Sequence, residues 1–342
     1  MRKWITGFLI TVTVPTILFM LGPVAEFSEV SSDIDRLNIP IEQLDQWVSE
    51  GEEAIQDIKP NNEARIVWAD STRKTEWAIV YLHGFSASQQ EGNPVHETIA
   101  KSFGMNLYLA RLSGHGIFDE DSFAELTPEK LINSAKRALS IGHLLGEKVI
   151  LMSCSTGGTY SIYLAAHLPE LIDALVMYSP NIALYDTNAR LLSGPWGLQI
   201  GQALLGKNIR YEENIGTPKE QYTTSIYRVE GLVALQAVLD QTMKPEYFKK
   251  ITQPLFVGYY YKNEQEQDKV VSVKAMRDFV QTVSTDKELV REVAFPRAGD
   301  HVICSGLHSS DYQGVTSETE LFFQEVLKIE KTDTRTVFEQ SM

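Results

Sequence analysis

The sequence predicts an α/β protein, a mostly parallel central sheet with helices on both faces. Three observations predict it. Apolar runs rich in β-formers, such as Trp77 to Leu82 and Ala174 to Tyr178, alternate with helical patterns of about 10 to 18 residues, the rhythm of βαβ units. The run Val149-Ile150-Leu151-Met152 leads directly through the small residues Ser153-Cys154-Ser155-Thr156-Gly157-Gly158 into a helical pattern, a strand, a sharp turn and a helix. The composition is that of a globular chain, with 342 residues of which 43% are hydrophobic and 22% charged, and with no repeat or low-complexity tract.

The first 25 residues stand apart. Arg2 and Lys3 precede Trp4 to Leu21, a stretch of apolar residues and threonines without a charge. At about 1.5 Å per residue it would make roughly 27 Å of helix, marginally enough to cross a bilayer. A cleaved signal is the alternative, with Ala25 at the −1 position but Pro23 poorly suited to −3. The sequence therefore predicts a membrane anchor or signal segment over residues 1–25. The positive residues before it and Glu26, Glu29 and Asp33 after it predict that the bulk of the chain lies outside the cytoplasm, membrane-anchored or released by cleavage.

A polar linker ending at Pro40 and an amphipathic helix from Ile41 to Ile58 fill out residues 26–64. The main domain is expected over 65–328. It begins with strands Arg65 to Trp68 and Trp77 to Leu82, then a helix from Pro94 to Phe103, a strand from Asn106 to Arg111 and a helix from Pro128 to Leu145. Strand Lys148 to Met152, helix Ser155 to His167 and strand Ala174 to Tyr178 follow. From about 181 to 251 no strand is evident. A Gly/Pro-containing stretch gives way to a helical pattern near Tyr227 to Leu239, and so long a gap between sheet strands reads as a helical cap insertion. Its apolar residues, among them Leu184, Leu192, Ile200 and Leu204, either line an apolar pocket or pack the cap onto the domain. The alternation resumes with strand Pro254 to Tyr260, helix Ser272 to Val283, strand Val290 to Phe295 and helix Val315 to Val326, before a charged, loosely ordered tail over 329–342.

A formal net charge of −14 with no Lys/Arg cluster argues against nucleic acid, which needs a basic face for its phosphates. The two cysteines, Cys154 and Cys304, make no disulfide framework and read as small buried hydrophobes. No His/Cys/carboxylate spacing implies a metal, and no cofactor is expected.

Four pieces of chemistry then fall in chain order, each after a strand, where open α/β sheets place their sites. Gly84 in His83-Gly84-Phe85-Ser86 lets the backbone turn so that the Phe85 N–H faces the site, where with the Thr156 N–H it would form an oxyanion hole. Ser155 sits at the strand-to-helix turn, backed by a helix N-terminus. The loop after Pro254 to Tyr260 offers Glu264, Glu266 and Asp268; Asp268 is preferred because it directly precedes Val270-Val271 and the next helix. His301 follows the last strand. A serine hydroxyl is a poor nucleophile until a base takes its proton, and that base needs a carboxylate to orient it and stabilise its cation.

On these residues the sequence resembles the α/β-hydrolase superfamily, and within it the branch of monoacylglycerol lipases and serine aminopeptidases. Arg111-Leu112-Ser113-Gly114-His115-Gly116 also looks like that family's G-H-G turn, in which the histidine is structural. The resemblance spans about 65–328 and implies Ser155 as nucleophile, Asp268 as acid, His301 as base, and Phe85 and Thr156 as oxyanion donors. It departs from the family pattern at Ser153, where G-x-S-x-G has its first glycine, and in a longer acid loop. The implied activity is a serine hydrolase cleaving a carboxylic ester, carboxylesterase or monoacylglycerol lipase-like. Two alternatives stay open: an aminopeptidase or amidase of the same fold, for which Glu212, Glu213 and Glu230 could hold a substrate amine, and a non-catalytic binding module.

Overall fold

A computed structural model describes residues 18–27, 33–35, 37–211 and 214–332 of the chain. Its centre is a seven-stranded sheet of β1 (Arg65–Val67), β2 (Thr75–Leu82), β3 (Asn106–Leu109), β4 (Gly146–Cys154), β5 (Ala174–Tyr178), β8 (Leu255–Tyr259) and β9 (Val290–Ala294). The order is β1-β3-β2-β4-β5-β8-β9, parallel throughout except for β1, which runs antiparallel to β3.

The interior strands are apolar on both faces because both are covered. Ala78, Val80 and Leu82 of β2, with Leu151 of β4 and Leu175 and Met177 of β5, enter one core. It is closed by α1 (Leu44–Glu53), α3 (Pro128–Leu145), α4 (Thr156–His167), α6 (Val229–Thr242) and α8 (Val273–Thr282). Ile79 and Tyr81, Ile150 and Met152, and Val176 and Tyr178 enter the other, beneath α2 (Val95–Ser102) and α9 (Tyr312–Glu325). The two-residue period sorts the side chains, and each fully buried large one contributes about 1.5–3 kcal/mol.

Local signals set the helix ends. The Thr127 side chain caps α3 by accepting from the Lys130 N–H at 3.2 Å, with Pro128 in the first turn. Ser272 caps α8 in the same way through the Ala275 N–H. The helix expected from Ile41 to Ile58 is shorter. A 3-10 turn over Ile41–Gln43 leads into α1, which ends at Glu53 because Leu44 and Val48 are its only buried residues and Ile55 is exposed.

The stretch between β5 and β8 holds α5 (Gly197–Leu205), α6 and α7 (Pro245–Phe248). It also holds a hairpin that the sequence does not announce, β6 (Asn208–Arg210) paired antiparallel with β7 (Ile226–Arg228). Only three residues pair on each side, and Asn208, Arg210 and Arg228 leave no apolar alternation to read. The tail is ordered further than expected. The Ile329 N–H donates to Phe323 O, the Thr332 N–H to Ser102 O at 2.9 Å, and Lys331 pairs with Glu320, while 333–342 lie outside the described residues.

The expected membrane-anchored placement outside the cytoplasm is corrected. Among the described residues no helix is long and apolar enough to cross a membrane. Most of the Trp4 to Leu21 stretch, residues 1–17, lies outside them. What is described of this end rests on the domain, with the Trp196 indole Nε1 donating to Phe19 O at 3.1 Å and the Trp196 N–H to Pro23 O at 2.8 Å.

Candidate active site

The chain leaves β2 for β3 on one side and returns to lay β4 on the other, so the carboxyl ends of β2 and β4 form the crevice where such sheets bind ligands. Leu82 pairs with Ser153, which brings the loop after β2 beside the turn after β4.

Ser155 occupies that turn with φ 51° and ψ −120°, a strained conformation for a residue with a side chain. Its N–H donates to Tyr178 O at 3.0 Å, and its carbonyl accepts from the Gly158 and Asn181 N–H groups at 2.9 Å each. The helix α4 begins at the next residue. Gly157 is obligatory here: a Cβ would lie 2.0 Å from Leu82 O. Ser153 is accommodated where the family motif has glycine because it lies within β4 and its hydroxyl meets Ser161.

Asp268 comes back to the end of β8 because the long loop closes on itself. Tyr261 bridges to Gln267, the Lys262 N–H donates to Glu266 O, and the Asp268 N–H donates to Tyr260 O at 3.1 Å. Glu264 and Glu266 stay in the exposed part, bonded to Tyr261, Lys262 and Asn263. Asp268 is buried; its Oδ1 accepts from the Val270 and Val271 N–H groups at 2.8 and 3.0 Å, leaving Oδ2 for His301. His301 Nδ1 lies 2.6 Å from that oxygen. With its proton on Nδ1, the imidazole presents a lone pair at Nε2, which is buried and has no hydrogen-bond partner among the described residues. Burial acts to lower the His301 pKa. The charge and hydrogen bond of Asp268, with Glu91 and Asp300 further off, outweigh it and hold the imidazole above its ordinary value of 6.5.

The loop after β2 is fixed by His83. Its Nε2 accepts from the Leu112 N–H at 3.0 Å, so Nδ1 carries the proton and donates to Gly84 O at 2.8 Å. In a trans peptide the carbonyl and the following N–H point apart, so holding Gly84 O in this way aims the Phe85 N–H in the opposite direction. Among the described residues neither the Phe85 nor the Thr156 N–H is taken by a backbone carbonyl. Beneath lies an aromatic cluster in which His115 packs against His83 at 5.0 Å and Phe85 at 5.7 Å between ring centres. Burial pushes the His115 pKa down to about 4 and takes His83 well below its usual value, so both stay neutral and serve packing.

Phe85, Thr156, Ser155 and His301 line one cavity of about 800 Å³, roofed by residues of the β5–β8 stretch including Leu184, Leu192, Ile200, Tyr227 and Leu235. Asp268 stands behind His301, outside the lining. The roof is tied to the loop after β2, since the Thr224 N–H donates to Ser86 O at 2.6 Å. Glu230 is engaged by Arg228 at 2.6 Å and by Gln202, while Glu212 and Glu213 lie outside the described residues. Sequence reasoning passed over Glu91, which lies against Gly84; its signal was that it is the one charged group between Leu82 and Glu97. Both cysteines are free and buried beside the site.

No protein-family model matches the chain. An uncharacterized protein of Mycobacterium tuberculosis is 30% identical over 122 residues, 35% of this chain and 34% of that protein. A thermostable monoacylglycerol lipase of Bacillus sp. is 29% identical over 93 residues, 27% of this chain and 36% of that enzyme. The chain thus spans about a third of the length of the curated relatives it matches. Among solved structures, a metagenome-derived lipolytic enzyme superposes with a TM-score of 0.62 at 14% identity, over 78% of this chain and 99% of that one. A soluble variant of the Saccharomyces cerevisiae monoglyceride lipase does so with 0.54 at 12%, over 77% and 92%. The fold is that of the α/β-hydrolases.

Proposed function

We propose that the protein is a serine hydrolase that cleaves a carboxylic ester through an acyl-enzyme on Ser155. The observation that carries this reading is the buried His301–Asp268 pair, with His301 Nε2 left without a partner among the described residues and His301 lining the same cavity as Ser155. The lipolytic enzymes and the monoacylglycerol lipase among the similar proteins support the ester class.

His301 Nε2 takes the Ser155 hydroxyl proton as Oγ attacks the ester carbonyl carbon. Asp268 holds the imidazole in the productive tautomer and stabilises the imidazolium. The oxyanion of the tetrahedral intermediate accepts from the Phe85 and Thr156 N–H groups, with the α4 N-terminus adding favourable potential. As the carbon–oxygen bond breaks, His301 returns the proton to the leaving alcohol. Water, deprotonated by the same nitrogen, then frees the acid and regenerates Ser155.

The stretch at 181–251 acts as a cap, and its leucines, isoleucine and tyrosine favour an acyl chain of monoacylglycerol or simple carboxylester type. Glu230, already paired with Arg228, gives the aminopeptidase alternative little support. The test is labelling by a fluorophosphonate together with hydrolysis of p-nitrophenyl butyrate. Wild type should label and turn over, and Ser155→Ala should lose labelling and roughly 10⁴-fold or more in rate. An unlabelled, folded wild type, or an undiminished Ser155→Ala, would reject the reading.

A further inference from the structure

Glu91 lies in a 3-10 turn, Gln89–Gly92, at the floor of the cavity, 8% exposed. Its Oε2 accepts from the Gly84 N–H at 2.6 Å. A Cβ placed on Gly84 would lie 2.8 Å from Glu91 Oε1 and 2.9 Å from the Ser155 Cβ, so carboxylate and nucleophile flank the same glycine. The turn is also tied to the loop that carries His301. Cys304 Sγ donates to Glu91 O at 3.3 Å, and the Gly306 N–H donates to Asn93 O at 2.8 Å. The turn that bears Glu91 therefore joins the segment presenting the Phe85 N–H to the segment presenting the base.

We propose that Glu91 is a positioning residue for the hydrolytic reaction, its carboxylate holding the Gly84 peptide so that the Phe85 N–H meets the developing oxyanion. This rests on the serine-hydrolase reading. His83 grips the carbonyl side of Gly84 and Glu91 the amide side, so the glycine that turns the chain has no freedom left to rotate its peptides. Without the acceptor, a buried N–H would lose its partner and the loop would have to turn to find another. Removing an oxyanion donor costs about 10²–10³-fold in rate, and misaiming one costs up to a similar amount.

A charged carboxylate here would oppose the oxyanion, but accepting an N–H needs only a carbonyl-type oxygen. Burial pushes the Glu91 carboxyl above its usual range, against the opposing pull of the Gly84 N–H and of His301 and His308. The Cys154 thiol adds to that opposing pull. What the Gly84 N–H meets is an acceptor oxygen at 2.6 Å, and glutamine supplies that oxygen as well.

The experiment compares the full chain with Glu91→Leu and Glu91→Gln, measuring kcat and KM for p-nitrophenyl butyrate and inhibition by a trifluoromethyl ketone. The ketone forms a hemiketal with the serine whose oxygen needs the same donors. Glu91→Leu is expected to lose kcat on the order of 10²-fold with KM changed less than about threefold, and to bind the ketone correspondingly more weakly. Glu91→Gln is expected to stay within about tenfold of wild type on both measures. A Glu91→Leu enzyme with wild-type kcat, a loss confined to KM, or a glutamine variant no better than leucine would overturn the proposal. Should Glu91→Leu fail to fold by circular dichroism, Glu91→Gln decides alone: near wild type upholds the acceptor role and a loss beyond tenfold rejects it. A wild-type chain that neither labels nor hydrolyses counts instead against the serine-hydrolase reading.

Discussion

Ser161 Oγ and Ser153 Oγ are hydrogen-bonded at 3.1 Å inside the turn that carries Ser155. Ser161 also reaches the Gly157 carbonyl at 3.0 Å, so the substituted first position of the turn is built into its hydrogen bonding. Ser153→Gly should therefore cost stability and spare the reaction. The added backbone freedom is worth about 0.5–1 kcal/mol, which lowers Tm by a few degrees. The kcat/KM for p-nitrophenyl butyrate should stay within about threefold, and a drop beyond tenfold would mean that Ser153 contributes to the chemistry.

Gly157→Ala should be far more damaging to stability. The new methyl would meet Leu82 O at 2.0 Å and His83 O at 2.9 Å, backbone atoms at the end of a central strand that cannot yield. The expected result is a destabilisation exceeding about 4 kcal/mol or no folded protein, read by urea melts. A variant with wild-type stability would show that the turn closes differently.

The strands and most helices were legible because burial on both faces writes itself as apolar runs, and because Thr127-Pro128 and Ser272 mark helix starts. The chain order of Gly84, Ser155, Asp268 and His301 was legible for the same reason, since each follows a strand. Asp268 was preferred over Glu264 and Glu266 for its place just before Val270-Val271, but the Tyr261–Gln267 bridge that folds the loop back is a contact and not a pattern, so the sequence did not show it. Glu91 stood out in the sequence only as a lone charge after the Leu82 strand, because its meaning lies in contacts with Gly84 and Cys304, the latter more than two hundred residues away. The β6–β7 hairpin was too short and too polar to carry a period. The apolar stretch before residue 22 read as a membrane element by composition alone, and composition does not show that Trp196 takes up Phe19 and Pro23.

If the roof of the cavity reads acyl length, enlarging one of its side chains should shorten the preferred substrate. Leu232 of α6 lines the cavity and is only partly buried, so a larger ring can extend into open space rather than into the core. Leu232→Trp should lower kcat/KM for a p-nitrophenyl octanoate at least tenfold relative to the butyrate, since a few lost methylene contacts are worth about 1–3 kcal/mol each. An unchanged ratio of the two esters would place the acyl chain elsewhere.

Asp268→Asn tests the orientation of the base. Oδ1 of Asp268 accepts two backbone N–H groups, so an asparagine must leave its carbonyl oxygen there and turn its NH2 toward His301. His301 Nδ1 would then become the acceptor and its proton would move to Nε2, where it blocks deprotonation of Ser155. A loss of roughly 10⁴-fold in kcat is expected, the size seen when a Ser-His-Asp triad takes the wrong tautomer. The pH dependence should move as well. In the wild type the raised His301 pKa means that kcat/KM climbs as pH passes through a value above 6.5, because only the neutral imidazole can take the proton. Without the Asp268 carboxylate, burial is opposed only by Glu91 and Asp300, so the residual activity of Asp268→Asn should begin to climb at lower pH. A variant whose acid limb stays in place would show that Asp268 does not set the charge of His301.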